Sequence, residues 1–353
     1  MDLPAVPAPD ADARRAAVAR YAELAVPAGA LGRLAELGVW LAAAQGSCPP
    51  RPPAQPRVVV FAGDHGIAAA GVSAHPATRT LREVAAVREH TAPVTVLAPL
   101  AGASVRVVDV ALDTDPPTGP TQRYRVRRSS GRIDRTDALT ADEAAAAFEV
   151  GRTVADEEVD AGADLLVPAA LGVGASTPAS VLVAALTGAE PVATIGRGSG
   201  IDDAAWMRKA AAVRDALRRA KPHQREPLAL LRVAGGADLA ALAGFCLQAA
   251  VRRTPVLLDG LVVGGRGAGR AGAGRRRPGL VAAGAALTRT GHGHRRPAPG
   301  PHPRAGPRRP ARRRVGCADR GPAAGDGGPA AGRDGHRRRP HRTVMNPPAA
   351  GPR

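Results

Sequence analysis

The sequence predicts an α/β fold: a mostly parallel, Rossmann-like sheet flanked by helices, with a smaller helical subdomain before it and a disordered tail after it. Three observations predict it. Short runs of β-branched and apolar residues recur at 58–62, 104–112 and 165–167, and such runs suit parallel strands covered on both faces. Segments of helical periodicity separate them, as crossover connections require. Both features stop near Gly264.

Residues 1–50 form the predicted helical subdomain. Two helices and a turn are expected within 11–46, and Leu34, Leu37, Trp40 and Leu41 share the i, i+3, i+4 spacing of a face expected to be buried. The stretch 48–56 (CPPRPPAQP) ends the second helix and acts as a stiff connector. The predicted α/β domain spans 51–264. Its first strand runs into Gly63, Asp64, His65 and Gly66. In open α/β sheets, ligands bind beyond the carboxyl ends of the strands; Asp64 and His65 there would orient a substrate or order a loop.

A helix is expected from about Thr80, a second strand over 104–112 and a loop over 113–137. Thr140 and Glu143 have the capping-box spacing and open a helix running to about Asp160. The third strand, 165–167, ends in a Gly-rich turn. Helices over 202–220 and about 227–251 follow, then a last strand over 255–263.

Net charge is +18 for 353 residues, but residues 265–353 hold 21 arginines, no lysine, no glutamate and three aspartates. The whole excess is therefore terminal. That segment also lacks aromatics, isoleucine and serine, too little apolar side chain to offset a backbone ordering cost of roughly 1–2 kcal/mol per residue. It reads as a disordered tail. Cys48, Cys246 and Cys317 fit neither a zinc spacing nor a disulfide framework, which favours a reducing cytoplasm. No apolar run of membrane-spanning length and no secretory signal is evident.

Five segments, in order, carry a family resemblance: 29–40 (GALGRLAELGVW), 60–76 (VFAGDHGIAAAGVSAHP), 172–178 (GVGASTP), 196–203 (GRGSGIDD) and 233–260 (VAGGADLAALAGF through VLLDG). Together they resemble the nicotinate-nucleotide–dimethylbenzimidazole phosphoribosyltransferases of cobalamin assembly over about residues 20–264. The resemblance implies a cytoplasmic homodimer that needs no metal or other cofactor. It would move phosphoribosyl from nicotinate mononucleotide to 5,6-dimethylbenzimidazole, giving α-ribazole 5′-phosphate and nicotinate. Gly172, Gly174, Ser176 and Thr177 would then cradle phosphate, as backbone amides at a helix start do, while Gly196, Gly198, Ser199 and Gly200 would supply donors for phosphate and ribose. Asp64, His65, Ser73 and His75 would lie on the benzimidazole side.

The chain departs from the family pattern at Ala170, where a carboxylate is usual, at Ala175-Ser176 in place of Asn-Thr, at Arg82 in place of glutamine and at Val26-Pro27 in place of Lys-Pro. The family's base, a glutamate in a late Gly-Glu-Gly segment, has no counterpart in 265–353. A frameshift near residues 264–266 would account for the abrupt loss of resemblance, the arginine-rich composition and the jump in charge. Two other readings stay open: a catalytically dead remnant of the family, and an RNA-binding protein with a basic tail, although such a tail without aromatics binds nucleic acid only non-specifically. Gly267, Gly269 and Gly272 match a dinucleotide fingerprint, but no amphipathic helix follows them.

Overall fold

A computed structural model describes residues 4–114 and 122–260. The predicted tail, 265–353, lies outside the described residues. Two helices open the chain, α1 (Ala11–Glu23) and α2 (Arg33–Gln45). Asp10 caps α1 by accepting the Ala13 amide at 2.8 Å, and its own amide donates to the Ala43 carbonyl at 2.8 Å.

The expected buried face of α2 is not the one observed. Leu34 is 67% exposed and Trp40 37%, while Ala42 and Ala43 are buried. Periodicity locates an apolar stripe but not what covers it. The main neighbour of α2 among the described elements is α1, whose buried residues are also alanines, Ala13 and Ala17. Small side chains let the two helices approach, while Leu34 and Trp40 face outward and Leu37 and Leu41 are half-buried.

The sheet has three parallel strands in the order β2-β1-β3: β1 (Pro56–Gly63), β2 (Ser104–Ala111) and β3 (Leu165–Leu171). Side chains alternate across a strand, so β1 feeds two cores. Val59 and Phe61 join a cluster with Phe148, Leu239 and Phe245, whereas Val60 and Ala62 pack with Val84, Val87 and Val107. Helices therefore cover both faces. On one face lies α3 (Arg79–Arg88), followed in the chain by a short α4 (Pro93–Leu97). On the other lies α5 (Ala141–Asp160), opened by the expected capping box in which the Thr140 hydroxyl accepts the Glu143 amide.

Beyond β3 come α6 (Ser176–Thr187), α7 (Pro191–Thr194), α8 (Asp203–Ala220), α9 (Pro227–Ala234) and α10 (Ala237–Val251). The helix expected over 227–251 is thus two helices. Gly235 and Gly236 break it, and Gly236, at φ +149°, has a backbone closed to most side chains. Helices α5 and α10 cross in backbone contact: a Cβ on Gly151 would fall 1.8 Å from the Ala241 carbonyl oxygen, and one on Gly244 2.0 Å from that of Phe148. This crossing seats Phe245 edge-on against Phe61, ring centres 5.4 Å apart.

Of the strand expected over 255–263, the described residues 255–260 show one bridge, Leu166 with Val256. Leu166 donates to the Pro255 carbonyl and accepts the Leu257 amide, each at 2.9 Å. Two residues on, the same edge of β3 presents Pro168, which has no N–H to continue the ladder. Residues 261–263 lie outside the described residues. No helix among the described residues is long and apolar enough to cross a membrane.

Candidate active site at the strand tips

The carboxyl tips of β1 and β3 touch. A Cβ on Gly172 would lie 2.1 Å from the Gly63 carbonyl oxygen, so the turn after β3 can rest on the turn after β1 only as glycine. Asp64 and His65 both point inward there. The Asp64 amide donates to Ala111, its carbonyl accepts from Ser130, and Oδ2 accepts the Asp113 amide at 2.8 Å. Burial raises the Asp64 pKa, against hydrogen bonds from Thr80 and the Asp113 amide that favour the charge.

His65 Nε2 lies 3.0 Å from Asp238 Oδ2, at the start of α10, with both side chains buried. Burial opposes charging the imidazole, but the Asp238 carboxylate outweighs it and the pKa is raised. The ring is held between two glycines: a Cβ on Gly236 would come within 2.7 Å of Cε1 and one on Gly172 within 3.4 Å of Cδ2. The pair, read from sequence as orienting a substrate or ordering a loop and set on the benzimidazole side by resemblance, lies beneath the loops and fastens them to β2 and α10.

The first loop, from Gly172 into α6, alternates its amides. Val173 donates to Thr80 Oγ1 at 3.1 Å, Ala175 to the Gly172 carbonyl and Thr177 to that of Gly174. The amides of Gly174 and Ser176 have no acceptor among the described residues. Free amides at the head of a twelve-residue helix form a positive pole that attracts anions. Thr177 Oγ1 is also buried without a partner.

The second loop, Gly196 to Gly200, joins α7 to α8 and comes to the same place. A Cβ on Gly198, at φ +50°, would stand 3.6 Å from Ser176 Oγ and 3.8 Å from Lys209 Nζ. Ser199 ties in a third segment: its Oγ accepts the Ala74 amide at 3.0 Å and lies 3.2 Å from Ser73 Oγ. Ser73 in turn accepts the His75 amide, and His75 Nδ1 receives a hydrogen bond from Arg79. Ser73, His75, Ser176, Gly198 and Ser199, distant in sequence, are thereby gathered at one rim. Of the departures, Ala175 and Ala170 add no polar group, and Arg82 is exposed on α3.

Sequence reasoning missed Lys209. Its Nζ donates to Ser176 Oγ at 2.7 Å, the residue is 1% exposed, and it makes no ion pair among the described residues. Burial pulls its pKa down to about 8. A signal existed. The chain has two lysines among 49 cationic residues, and Lys209 falls on the buried stripe of α8 with Ala205, Ala212, Val213 and Ala216. A lone lysine on an apolar stripe needs an anion or a cavity to justify its burial.

Residues 6–275 match the family model described as Phosphoribosyltransferase. The chain belongs to this phosphoribosyltransferase family. A Mycobacterium avium (strain 104) nicotinate-nucleotide–dimethylbenzimidazole phosphoribosyltransferase is 58% identical over 263 residues, covering 74% of this chain and 75% of the relative. Its namesake from Mycobacterium tuberculosis (strain ATCC 25618 / H37Rv) is also 58% identical, over 258 residues, 73% of this chain and 72% of the relative. The crystal structure of CobT from Thermus thermophilus superposes with a TM-score of 0.68 at 34% identity, covering 78% of each chain. In this phosphoribosyltransferase, no group of three or more His, Cys, Asp or Glu side chains among the described residues is arranged to hold a metal.

Proposed function

We propose that this chain binds nicotinate mononucleotide and 5,6-dimethylbenzimidazole at the rim where its two glycine loops meet, and that its reaction is transfer of the phosphoribosyl group between them. A benzimidazole ring nitrogen attacks C1′ of ribose as the C1′–nitrogen bond to nicotinate breaks, with inversion; the attacking ring loses its proton and nicotinate leaves. One observation carries the reading: Gly172–Thr177 and Gly196–Gly200 converge on a buried lysine that has no carboxylate partner among the described residues. The 5′-phosphate supplies the missing countercharge, held by Lys209 Nζ, the Gly174 and Ser176 amides and the hydroxyls of Ser176 and Thr177. Gly196, Gly198, Ser199 and Gly200 serve the ribose side. Ser73 and His75 border the benzimidazole slot, with Asp64 and His65 supporting it from below.

No general base is assigned, because residues 265–353 contain no glutamate to match the family's late segment. This favours a second reading, in which the chain binds nicotinate mononucleotide but turns it over slowly or not at all. Incubating the purified chain with both substrates and assaying α-ribazole 5′-phosphate and nicotinate separates the two. Product at a rate above the uncatalysed background supports the enzyme; calorimetric binding without product supports the remnant; neither removes both. We further propose that 265–353 arises from a frameshift near residues 264–266, which an uninterrupted frame on resequencing codons 255–275, matched in close relatives, would refute. The helical pair's exposed Leu34 and Trp40 suit the homodimer implied by the family likeness, and sedimentation would test it.

A further inference from the structure

The glycine loop after β3 has a support that the sequence motifs do not name. Thr80 lies in the first turn of α3 and is fully buried. Its oxygen accepts the Val173 amide at 3.1 Å, and its hydroxyl lies near enough to the Asp64 carboxylate to favour that group's charged form. Asp64 is in turn fixed by its backbone bonds to Ala111 and Ser130 and by the Asp113 amide at Oδ2. The Thr80 hydroxyl thus ties the start of α3 to the loop after β3, beside the carboxylate at the tip of β1.

The link has a direction. A hydroxyl oxygen has lone pairs to offer, and here an amide of the loop takes one. With Val173 drawn back, and Ala175 and Thr177 engaged inside the loop, the amides left over are those of Gly174 and Ser176, beside Lys209. Released, the Val173 amide would seek another acceptor, and the alternation that aims its neighbours would be lost.

We propose that Thr80 is a positioning residue that holds the loop 172–177 in its anion-receiving shape. This rests on the phosphate reading of that loop. The role differs from a packing role because it depends on the hydroxyl, not on the methyl group.

The test compares Thr80→Val, which keeps the shape, with Thr80→Ser, which keeps the hydroxyl. Nicotinate mononucleotide affinity is measured by calorimetry, and hydrogen exchange of the peptide spanning 172–177 without ligand. Both variants are expected to lose some thermal stability. Only Thr80→Val should weaken binding, by about tenfold or more, and speed exchange at Val173 by a similar factor; Thr80→Ser should stay within about threefold of the parent in both. Should Thr80→Val not fold, Thr80→Cys in reduced form, similar in size and a poor hydrogen-bonding group, carries the same expectation. A parent chain that binds while Thr80→Val binds equally well overturns the positioning role alone. Equal losses in the serine variant overturn it too, since they would mark a packing site. A parent that does not bind removes the phosphate reading, and this role with it.

Discussion

Lys209→Met is the most informative change, because it should move stability and binding in opposite directions. The lysine is 1% exposed, its one hydrogen bond among the described residues goes to Ser176 Oγ, and burial lowers its pKa from 10.5 to about 8. At about 1.4 kcal/mol per pH unit, that depression corresponds to roughly 3 kcal/mol against the charged form in the folded chain. Methionine fills a similar volume without charge and leaves Ser176 short of one partner, a loss of about 1 kcal/mol. The variant without ligand should therefore be more stable at pH 7 by roughly 1–3 kcal/mol, in the range seen when buried ions are replaced by apolar groups.

The sign follows from proton counting. Between about pH 8 and 10.5 the unfolded chain holds a proton that the folded chain has released, so the parent gains stability as pH rises through that window. The advantage of Lys209→Met should fade over the same interval. Binding should show the reverse. A phosphate restores the ammonium, so parental affinity for nicotinate mononucleotide should fall by up to about tenfold per pH unit above pH 8, whereas the variant should bind about 10- to 100-fold more weakly at pH 7, the loss of a charge-assisted hydrogen bond. Urea denaturation at pH 7 and pH 10, with calorimetric titration up to pH 9.5, would measure both. A variant that is less stable than the parent at pH 7 and binds the nucleotide normally would refute the reasoning.

Three further outcomes are expected. Gly172→Ala places a methyl group 2.1 Å from the Gly63 carbonyl oxygen; backbone cannot yield there, and the soluble yield or urea midpoint should drop severely, whereas Gly102→Ala, which meets nothing within 4 Å, should cost about 1 kcal/mol or less through its positive φ alone. The raised pKa of His65 beside Asp238 makes the pair's ionic contribution fully present below the unfolded value near 6.5 and lost as pH rises through the folded value. Asp238→Asn should remove that dependence from the urea midpoint between pH 5 and 9, and an unchanged profile would count against it. Cys246, buried with its thiol pushed up to about 12, should resist a thiol reagent in the native protein and react on denaturation, while the partly exposed Cys48 reacts first; mass spectrometry of labelled peptides distinguishes them.

What the sequence determined is local or repetitive. The strand runs 58–62 and 104–112 are β-branched on both faces because both faces are covered, and they appear as strands within two residues at either end. Thr140 and Glu143 need only each other to open α5. The five ordered segments pointed to the family without reference to packing. The tertiary structure decided everything that depends on a partner distant in the chain. Leu34 and Trp40 obey helical periodicity, yet the alanine seam with α1 turns them outward. Pro168 interrupts the ladder that residues 255–260 begin at Leu166, because a missing N–H matters only once a neighbour faces it. Asp64 and His65 stand at a strand tip, as read, but whether such side chains meet a ligand or the interior depends on Asp238, 173 positions beyond His65. Lys209 becomes a candidate phosphate ligand only where a helix, two glycine turns and an unmet need for countercharge coincide. Composition records a residue's chemistry; its solvation and its partners, which set its energy, come only from the fold.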